Sequence, residues 1–164
     1  MRLDKLTFRK IAPKDNPVIA RVIRKALEEY GAAQPGTVYT DPTTDALYEL
    51  FQNPGSVYWI VEHNNTLVGG CGLYPTEGLP KGYVELVKLY LSKEMRGKGV
   101  GAKLMLKTIE SAKEMGYKAL YLESIPALNH AVTLYEKMGF EKIAQRLGDS
   151  GHFSCDLWMV KNIN

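Results

Sequence analysis

The sequence is poor in the residue types that hold metals and disulfide frameworks. It has only two cysteines, Cys71 and Cys155, and each lies in an apolar segment, so we expect buried thiols rather than a disulfide. Its three histidines, His63, His130 and His152, show no metal-ligand spacing with one another or with the cysteines. We therefore predict that the protein binds no metal.

Long runs of apolar residues or of one charge are also missing. No stretch approaches the about eighteen consecutive apolar residues of a membrane span, and residues 1–10 carry no signal-peptide core. We therefore expect a cytoplasmic protein with no membrane partner. The net charge is +3 and basic residues alternate with acidic ones, which argues against a nucleic-acid partner. A chain of 164 residues, 45% hydrophobic and 24% charged, is typical of one globular domain, taken here as residues 1–164.

The most informative stretch is residues 83–102. It begins with β-branched, aliphatic and aromatic residues that only Glu85 and Lys88 interrupt, which is typical of a strand covered on both faces. Three glycines follow, at 97, 99 and 101, with basic residues beside them. Apolar residues then recur at helical spacing: Leu104, Met105, Thr108, Ala112 and Met115. The pattern predicts a buried strand, a glycine-rich turn and a helix in succession.

A glycine-rich turn at the start of a helix can hold an anion. The first helical turn has backbone N–H groups without partners and partial positive charge. Glycines let a ligand approach that backbone closely, so a diphosphate fits such a place. A plain strand-to-helix turn with solvated basic side chains would show the same pattern.

Two nucleotide-binding motifs can be compared with this turn. Residues 97–102 satisfy the dinucleotide pattern G-x-G-x-x-G/A, with Glu123 as a candidate for the acid that binds the ribose. That pattern normally follows the first strand of a domain, whereas the strand here begins only near residue 83, and too little chain follows for a second half. A Walker motif is excluded because no Gly-Lys-Ser/Thr sequence occurs.

Another pattern fits both the turn and its place in the chain. The run Arg96-Gly97-Lys98-Gly99-Val100-Gly101 matches Arg/Gln-x-x-Gly-x-Gly/Ala, and residues 134–140 read LYEKMGF. In these motifs the sequence resembles the GNAT superfamily of acyl-CoA-dependent N-acyltransferases over roughly residues 56–140. The preceding Leu89-Tyr90-Leu91 resembles the pantetheine-binding strand of that family.

The resemblance implies that acetyl-CoA is the co-substrate. The residues that it assigns to the cofactor are Leu89, Tyr90, Leu91, Arg96, Gly97, Lys98, Gly99, Val100, Gly101 and Ala102. Family members often carry a further asparagine contact seven residues before a late tyrosine, but here Leu128 holds that place. Asn129, one residue later, is therefore assigned either to the cofactor by a local shift or to the cap of a helix.

The resemblance also implies a mechanism, because an amine must be neutral to attack a thioester and the thiolate leaves best when protonated. Tyr135 holds the place of the family's acid, although Ala131, Leu134, Tyr135 and Met138 also form one helical stripe that a core tyrosine would join. Glu85 is the candidate base, since a carboxylate in an apolar strand needs a partner or a raised pKa. An ion pair with Lys88 would explain Glu85 equally well, and Glu123 competes for the role of base. A backbone group of residues 89–91 is the expected oxyanion partner.

The acceptor is less well defined by the sequence. Acidic and aromatic residues on the first two helices and two loops would suit a small cationic amine, and the candidates are Glu28, Tyr30, Tyr39, Asp41 and His152. A small-molecule amine such as a polyamine, an amino acid or an aminoglycoside stays open, and so does a peptide N-terminus. A homodimer is also left open.

Periodicity and turn residues predict the remaining elements. We expect strands over 6–11, 56–62, 66–74, 119–124, 140–147 and 154–160, and helices from Asn16 as N-cap to Gly31 and over 44–52 and 128–138. Asn64-Asn65 is predicted to form a hairpin turn, and Gly116 to end the helix that follows the glycine-rich turn. The order is β-α-α-β-β-β-α-β-α-β-β, an α/β fold. The resemblance implies a mixed, mostly antiparallel central sheet flanked by about four helices.

Three classes of function therefore remain. The first is an N-acetyltransferase that acts on a primary amine. The second is a non-catalytic acyl-CoA sensor of the same fold, and the third is a nicotinamide-dinucleotide-binding protein.

Overall fold

The protein is described by a computed structural model over residues 5–164, in which the predicted order of elements is confirmed. Among these residues seven strands form one sheet. They are β1 (Leu6–Lys10), β2 (Val57–His63), β3 (Thr66–Tyr74), β4 (Tyr83–Leu91), β5 (Ala119–Ser124), β6 (Glu141–Ile143) and β7 (Leu157–Asn162). Their spatial order is β1-β2-β3-β4-β5-β7-β6.

All neighbouring strands are antiparallel except β4 and β5, which are parallel. The parallel pairing is short, because it joins only Tyr83–Glu85 to Ala119–Tyr121. The sheet is thus mixed and mostly antiparallel, as predicted, and its two halves meet at one weakly paired junction.

Four α-helices flank the sheet: α1 (Asn16–Glu29), α2 (Leu47–Leu50), α3 (Val100–Glu114) and α4 (Asn129–Lys137). No helix in the described part of the chain is both long enough and apolar enough to cross a bilayer. The predicted glycine ends are confirmed, since Gly31 after α1 has a φ of 67° and Gly116 after α3 has a φ of 86°. Asn64 and Asn65, with φ of 52° and 65°, form the predicted turn of the β2–β3 hairpin.

Two buried clusters cover the two faces of the sheet. On one face α3 and α4 pack on the sheet, with Val84, Leu86, Leu104, Met105, Leu120, Leu122 and Phe140 in the cluster. On the other face α1 and α2 do so, with Ile19, Ile23, Leu27, Leu47, Tyr58 and Ile60. Cys71 and Cys155 are buried free thiols, one in each cluster, as expected.

Asn16 was predicted to cap α1, and that detail is wrong. Asn16 is the first helical residue, and its side chain instead joins α1 to α2. Its Oδ1 accepts a hydrogen bond from the backbone N–H of Tyr48 at 2.8 Å, and its Nδ2 donates to Glu49 Oε1 at 2.6 Å.

The predicted helix over 44–52 is shorter than expected. A 3-10 helix at Pro42–Asp45 precedes the single turn of α2. The reason is local side-chain bonding: the Asp41 carboxylate accepts the Thr43 N–H at 2.9 Å, and Thr44 Oγ1 donates to the Val38 carbonyl at 2.8 Å. Such bonds compete with a regular helix and favour the tighter turn.

The last two strands also differ from the predicted 140–147 and 154–160, because β6 (Glu141–Ile143) is shorter and β7 (Leu157–Asn162) begins and ends later. Ladder pairing covers only β6 and β7, because the segment between them is held by a side chain instead. Arg146 Nη2 donates to the carbonyls of Cys155 at 2.7 Å and His152 at 3.3 Å, so this segment folds as a loop beside the sheet.

Candidate active site

A cavity of about 720 Å³ lies where β4 and β5 separate. Beyond Glu85 and Tyr121 the two strands no longer pair, and residues 85–91 of β4 line the opening. The end of β5, the glycine turn, one face of α4, the end of α1 and parts of two loops complete its walls. The separation of two parallel strands thus forms a cleft that reaches from the surface into the protein.

A β-bulge in β4 shapes the floor of this cavity. Gly72 pairs with Val87 and Gly70 with Tyr90, so the single residue between the glycines faces Lys88 and Leu89. Lys88 has a φ of 55°, in the left-handed region that only a few non-glycine residues adopt.

The bulge changes which side chains share a face of the sheet. Without a bulge, alternation would place Glu85, Val87 and Leu89 on one face of the sheet; the bulge moves Leu89 to the other face. Val87 and Tyr90 pack in the cluster of α1 and α2, whereas Leu89 packs in the cluster of α3 and α4. Glu85 therefore shares its face with Val87 and Tyr90.

Tyr58 on β2 holds the bulge in place. Its buried Oη donates to the Lys88 carbonyl at 2.8 Å across the intervening strand β3. The ring reaches this position because β3 has glycines there, since a Cβ at Gly72 would lie 2.6 Å from Tyr58 Cδ2. A Cβ at Gly70 would likewise collide with the ring. The glycines of β3 thus leave room for the Tyr58 ring that holds the bulge in β4.

The glycine turn has the conformation that its sequence requires. Gly97 and Gly99 have φ of 73° and 80°, and a Cβ at either would meet nothing within 4 Å, so both backbones border open space. Gly99 is the N-cap of α3, which begins at Val100. Gly97, Gly99 and Gly101 line the cavity mouth, and the free N–H groups of this helix start suit an anion.

Not every residue assigned to the cofactor faces the cavity. Leu89, Tyr90, Leu91, Arg96, Gly97, Gly99, Gly101 and Ala102 line it. The Val100 side chain is buried in the core, so only its backbone can contribute. Lys98 is exposed beside the mouth, and Asn129 starts α4 without lining the cavity or capping the helix.

Arg96 ties the glycine turn to the end of α1. Its Nη2 donates to Glu29 Oε1 at 2.7 Å and its Nε to the Leu91 carbonyl at 3.2 Å. Its guanidinium lies 4.8 Å from the centre of the Tyr30 ring, a cation–π contact. Tyr30, predicted on the acceptor side, therefore lines the cavity next to the glycine turn.

Glu85 lies in the cavity wall with 3% of its surface exposed. Thr76 Oγ1 donates to its Oε1 at 2.5 Å, and no ion pair within 4.0 Å joins it to Lys88 in the described part of the chain. Burial raises the pKa of Glu85 to about 7, and the nearby Glu123 charge adds to this. Glu85 can therefore gain or lose a proton near neutral pH.

Glu123, the competing base, lies on the neighbouring strand and is fully engaged. Its carboxylate accepts hydrogen bonds from Tyr121 Oη at 2.6 Å and Ser150 Oγ at 2.5 Å. Arg146 Nε lies 3.5 Å away as a salt-bridge partner, and the Glu123 side chain is only 2% exposed. Both carboxylate oxygens of Glu123 therefore already have partners within the protein.

Tyr135 lines the same cavity from α4. It is 7% exposed and packs edge-on against Phe140, so it belongs to the helical stripe predicted from the sequence while also facing the cavity. Burial raises the pKa of its phenol, so the hydroxyl keeps its proton at neutral pH and can donate it.

The acidic groups predicted to bind the acceptor already have partners. Glu28 Oε2 accepts a hydrogen bond from Tyr39 Oη at 2.5 Å, and neither residue lines the cavity. Asp41 Oδ2 lies 2.7 Å from His152 Nε2, and this contact holds the pKa of Asp41 well below its usual range. Of this pair only His152 reaches the cavity wall.

Sequence reasoning missed several polar residues of the site. Lys88 and Ser124 line the cavity, and Thr76 bonds to Glu85 from the loop before β4. The Ser124 hydroxyl is buried without a hydrogen-bond partner in the described residues. Only Lys88 had left a signal, as one of two charges in an apolar strand. Over residues 5–164 no group of three or more His, Cys, Asp or Glu side chains is arranged to hold a metal ion.

Comparison with known proteins identifies the family of the chain. The model of the Acetyltransferase (GNAT) family matches residues 22–140, well over half of the chain. The Uncharacterized N-acetyltransferase YjgM of Escherichia coli (strain K12) is 43% identical over 157 residues, which cover 95% of this chain and 94% of that protein. The chain therefore belongs to the GNAT family of acyl-CoA-dependent acetyltransferases, and acetyl-CoA is the co-substrate that its family uses. This confirms the class predicted from the sequence.

Solved structures show the same fold. A GNAT-family acetyltransferase from Staphylococcus aureus Mu50 superposes with a TM-score of 0.85 at 20% identity, covering 97% of this chain and 99% of that one. The acetyltransferase yncA from Salmonella typhimurium, solved with its cofactor acetyl-CoA, superposes with a TM-score of 0.75 at 22% identity, covering 98% and 95% of the two chains.

Proposed function

We propose that the protein transfers an acetyl group from acetyl-CoA to a primary amine by direct attack, with Glu85 as base and Tyr135 as acid. The observation that carries the proposal is that both side chains line the cavity whose mouth is the glycine turn. A diphosphate at the free N–H groups of α3 would direct the rest of an extended cofactor along β4 toward them.

The two residues divide the proton transfers between them. As the amine nitrogen bonds to the thioester carbon, Glu85 takes the amine proton directly or through water, because its pKa of about 7 makes it a base at neutral pH. The carbon–sulfur bond breaks, and the Tyr135 hydroxyl gives its proton to the departing thiolate. A backbone N–H of residues 89–91 is the proposed donor to the carbonyl oxygen during the attack. The products are an N-acetyl amine and CoA.

Glu85 is the better candidate for the base because Glu123 is occupied. Three groups contact the Glu123 carboxylate, whereas Glu85 accepts a single hydrogen bond from Thr76 and lies in an apolar strand. The proposed role of Glu123 is to raise the pKa of Glu85 through its charge.

Acceptor class and location rest on the sequence and the family. We propose a small-molecule amine or a peptide N-terminus as acceptor, consistent with the name N-acetyltransferase of the Escherichia coli relative. A cytoplasmic location stays a prediction, as does a homodimer.

Ligand-induced thermal shifts test the cofactor. Acetyl-CoA, CoA and NADH are compared at matched concentrations, and a ligand at about 100 times its Kd adds roughly 2.7 kcal/mol to the free energy of unfolding. We expect acetyl-CoA and CoA to raise Tm and NADH to leave it unchanged. A shift with NADH alone would assign the glycine turn to a dinucleotide and refute the proposal.

Replacing Tyr135 with Phe tests the acid. We expect kcat to fall about tenfold or more while the Kd of acetyl-CoA stays nearly constant, because only proton donation is lost. Tyr117→Phe is the matched control, since Tyr117 lies outside the cavity and donates to the Gly55 carbonyl. A fully active Tyr135→Phe enzyme would remove Tyr135 from the mechanism, and activity that survives in both Tyr135→Phe and Glu85→Gln would leave the cavity without an assigned catalyst.

A further inference from the structure

Lys88 is a largely buried lysine that has no hydrogen-bond or ion-pair partner among the described residues. It is 9% exposed and lines the cavity from the bulge in β4, three residues after Glu85. Over residues 5–164 its ammonium group makes no hydrogen bond and no ion pair within 4.0 Å. Its nitrogen is not one of the fully enclosed polar atoms of the described residues, so it opens onto the cavity while the rest of the side chain is buried, and this placement calls for an explanation.

Three other titratable side chains that line the cavity already have partners within the protein. Glu123 is held by Arg146, His152 by Asp41, and Glu85 by a hydrogen bond from Thr76. Lys88 lies close enough to Asp41 and Glu85 to feel their charges, but burial outweighs them and lowers its pKa. Among these groups Lys88 alone keeps all its hydrogen-bonding capacity for a ligand.

The backbone conformation and a buried hydrogen bond hold Lys88 in this position. The residue has a φ of 55°, and the hydrogen bond from Tyr58 to its carbonyl fixes that conformation. An exposed lysine needs no such support, so the bulge presents this side chain to the cavity rather than to solvent.

We propose that Lys88 binds a carboxylate of the acceptor, and that the substrates are amines that carry a carboxylate close to the reacting nitrogen, of which a free α-amino acid is the simplest. This inference rests on the proposed function, because it places the acceptor in the same cavity. An ammonium group can donate three hydrogen bonds to such a carboxylate, and exclusion of water strengthens their attraction. It replaces the small cationic amine expected from Glu28 and Asp41, whose carboxylates are engaged elsewhere.

A competing explanation is that Lys88 is only an internal counter-ion for Glu85 and Asp41. In that case its removal would change the pH dependence of activity equally for every acceptor. Binding of a carboxylate predicts an effect that depends on whether the acceptor carries one, so paired acceptors separate the two explanations.

The experiment measures CoA release with each of the twenty free amino acids and with the matching α-carboxamide, in which the carboxylate is neutral. For the best amino acid we expect kcat/KM to exceed that of its amide by roughly 10- to 100-fold. In Lys88→Met, which has a similar length and no charge, the preference should fall to near one, mainly through KM of the amino acid. Lys88→Arg should retain most of it.

Several outcomes would overturn the inference. If the wild-type protein acetylates an amide as well as the matching amino acid, the inference is overturned without any variant having to fold. Equal losses for both acceptors in Lys88→Met would also overturn it, as would no CoA release with any amino acid by protein that binds acetyl-CoA. Failure to bind acetyl-CoA would instead refute the proposed function beneath it, and calorimetry on the same preparation distinguishes the two cases.

Discussion

Glu85→Gln should make the protein more stable and less active at the same time. The pKa of Glu85 is raised from its ordinary value of 4.5 to about 7, so the folded protein binds this proton more tightly than the unfolded chain does. As the pH rises from about 4.5 to about 7 the unfolded chain loses the proton first, and the free energy of unfolding falls. Above about 7 the loss is complete and constant.

The size of this effect follows from the shift in pKa. A difference of about 2.5 between the pKa of Glu85 in the folded protein and in the unfolded chain lowers the free energy of unfolding by at most about 3 kcal/mol. Glutamine keeps the oxygen that accepts the Thr76 hydrogen bond and has no charge to bury. At pH 8 we therefore expect Glu85→Gln to unfold up to roughly 6–12 °C above the wild type, and at pH 5 only about 2–3 °C above it.

Thermal unfolding between pH 4.5 and 8.5, beside CoA-release assays over the same range, measures both effects. Wild-type kcat/KM should rise with pH, with an apparent pKa of about 7, and Glu85→Gln should lose both this pH dependence and most of the activity. Glu110→Gln, on the exposed side of α3, is the control that should change neither. A Glu85→Gln protein no more stable than the wild type at pH 8 would refute the argument from burial. An unchanged pH–rate profile would refute the assignment of the base.

Two further substitutions test the backbone of the site. Tyr58→Phe should lower the free energy of unfolding by about 1–3 kcal/mol in urea titrations, because it leaves the buried Lys88 carbonyl without its donor; a variant as stable as the wild type would show that the bulge needs no anchor. Gly99→Ala should cost about 1–2 kcal/mol for its φ of 80° and also weaken acetyl-CoA binding in calorimetry. Gly116→Ala, with a φ of 86° and equally open space, should cost the same stability and leave that binding intact. Equal binding in the two alanine variants would contradict a cofactor role for the glycine turn.

Most of the fold was predictable because its helices, strands and turns are indicated by residues that are close together in the sequence. The Asn64-Asn65 turn, the glycines after α1 and α3 and the apolar run of β4 each depend on neighbours in sequence. The failures have a different origin. Asn16 reaches across to α2, and the loop between the last two strands is held by Arg146, so those details depend on contacts between segments distant in sequence.

The site was predictable to the extent that it consists of backbone. The glycine turn and the strand before it lie where the motif placed them. The bulge at Lys88 could not be read from alternation, because it depends on Tyr58 and on glycines of a neighbouring strand. Because the bulge was missed, the cavity-facing position of Lys88 was missed as well. The acceptor-binding role predicted for Asp41 and Glu28 was overestimated, since both carboxylates have partners that are distant in sequence.

The separation of β4 from β5 gives this protein a sheet edge that faces inward. Open edges on a protein surface invite pairing with any extended chain, including another copy of the protein. Here the edge borders a cleft, so only a narrow, extended ligand with amide groups of its own can reach it. Recognition of such a ligand would need no particular side chain along β4. The side chains of the same strand are then free to contact the second substrate, so Lys88 could change with the acceptor while Glu85, the proposed base, and the backbone proposed to bind the cofactor stay the same.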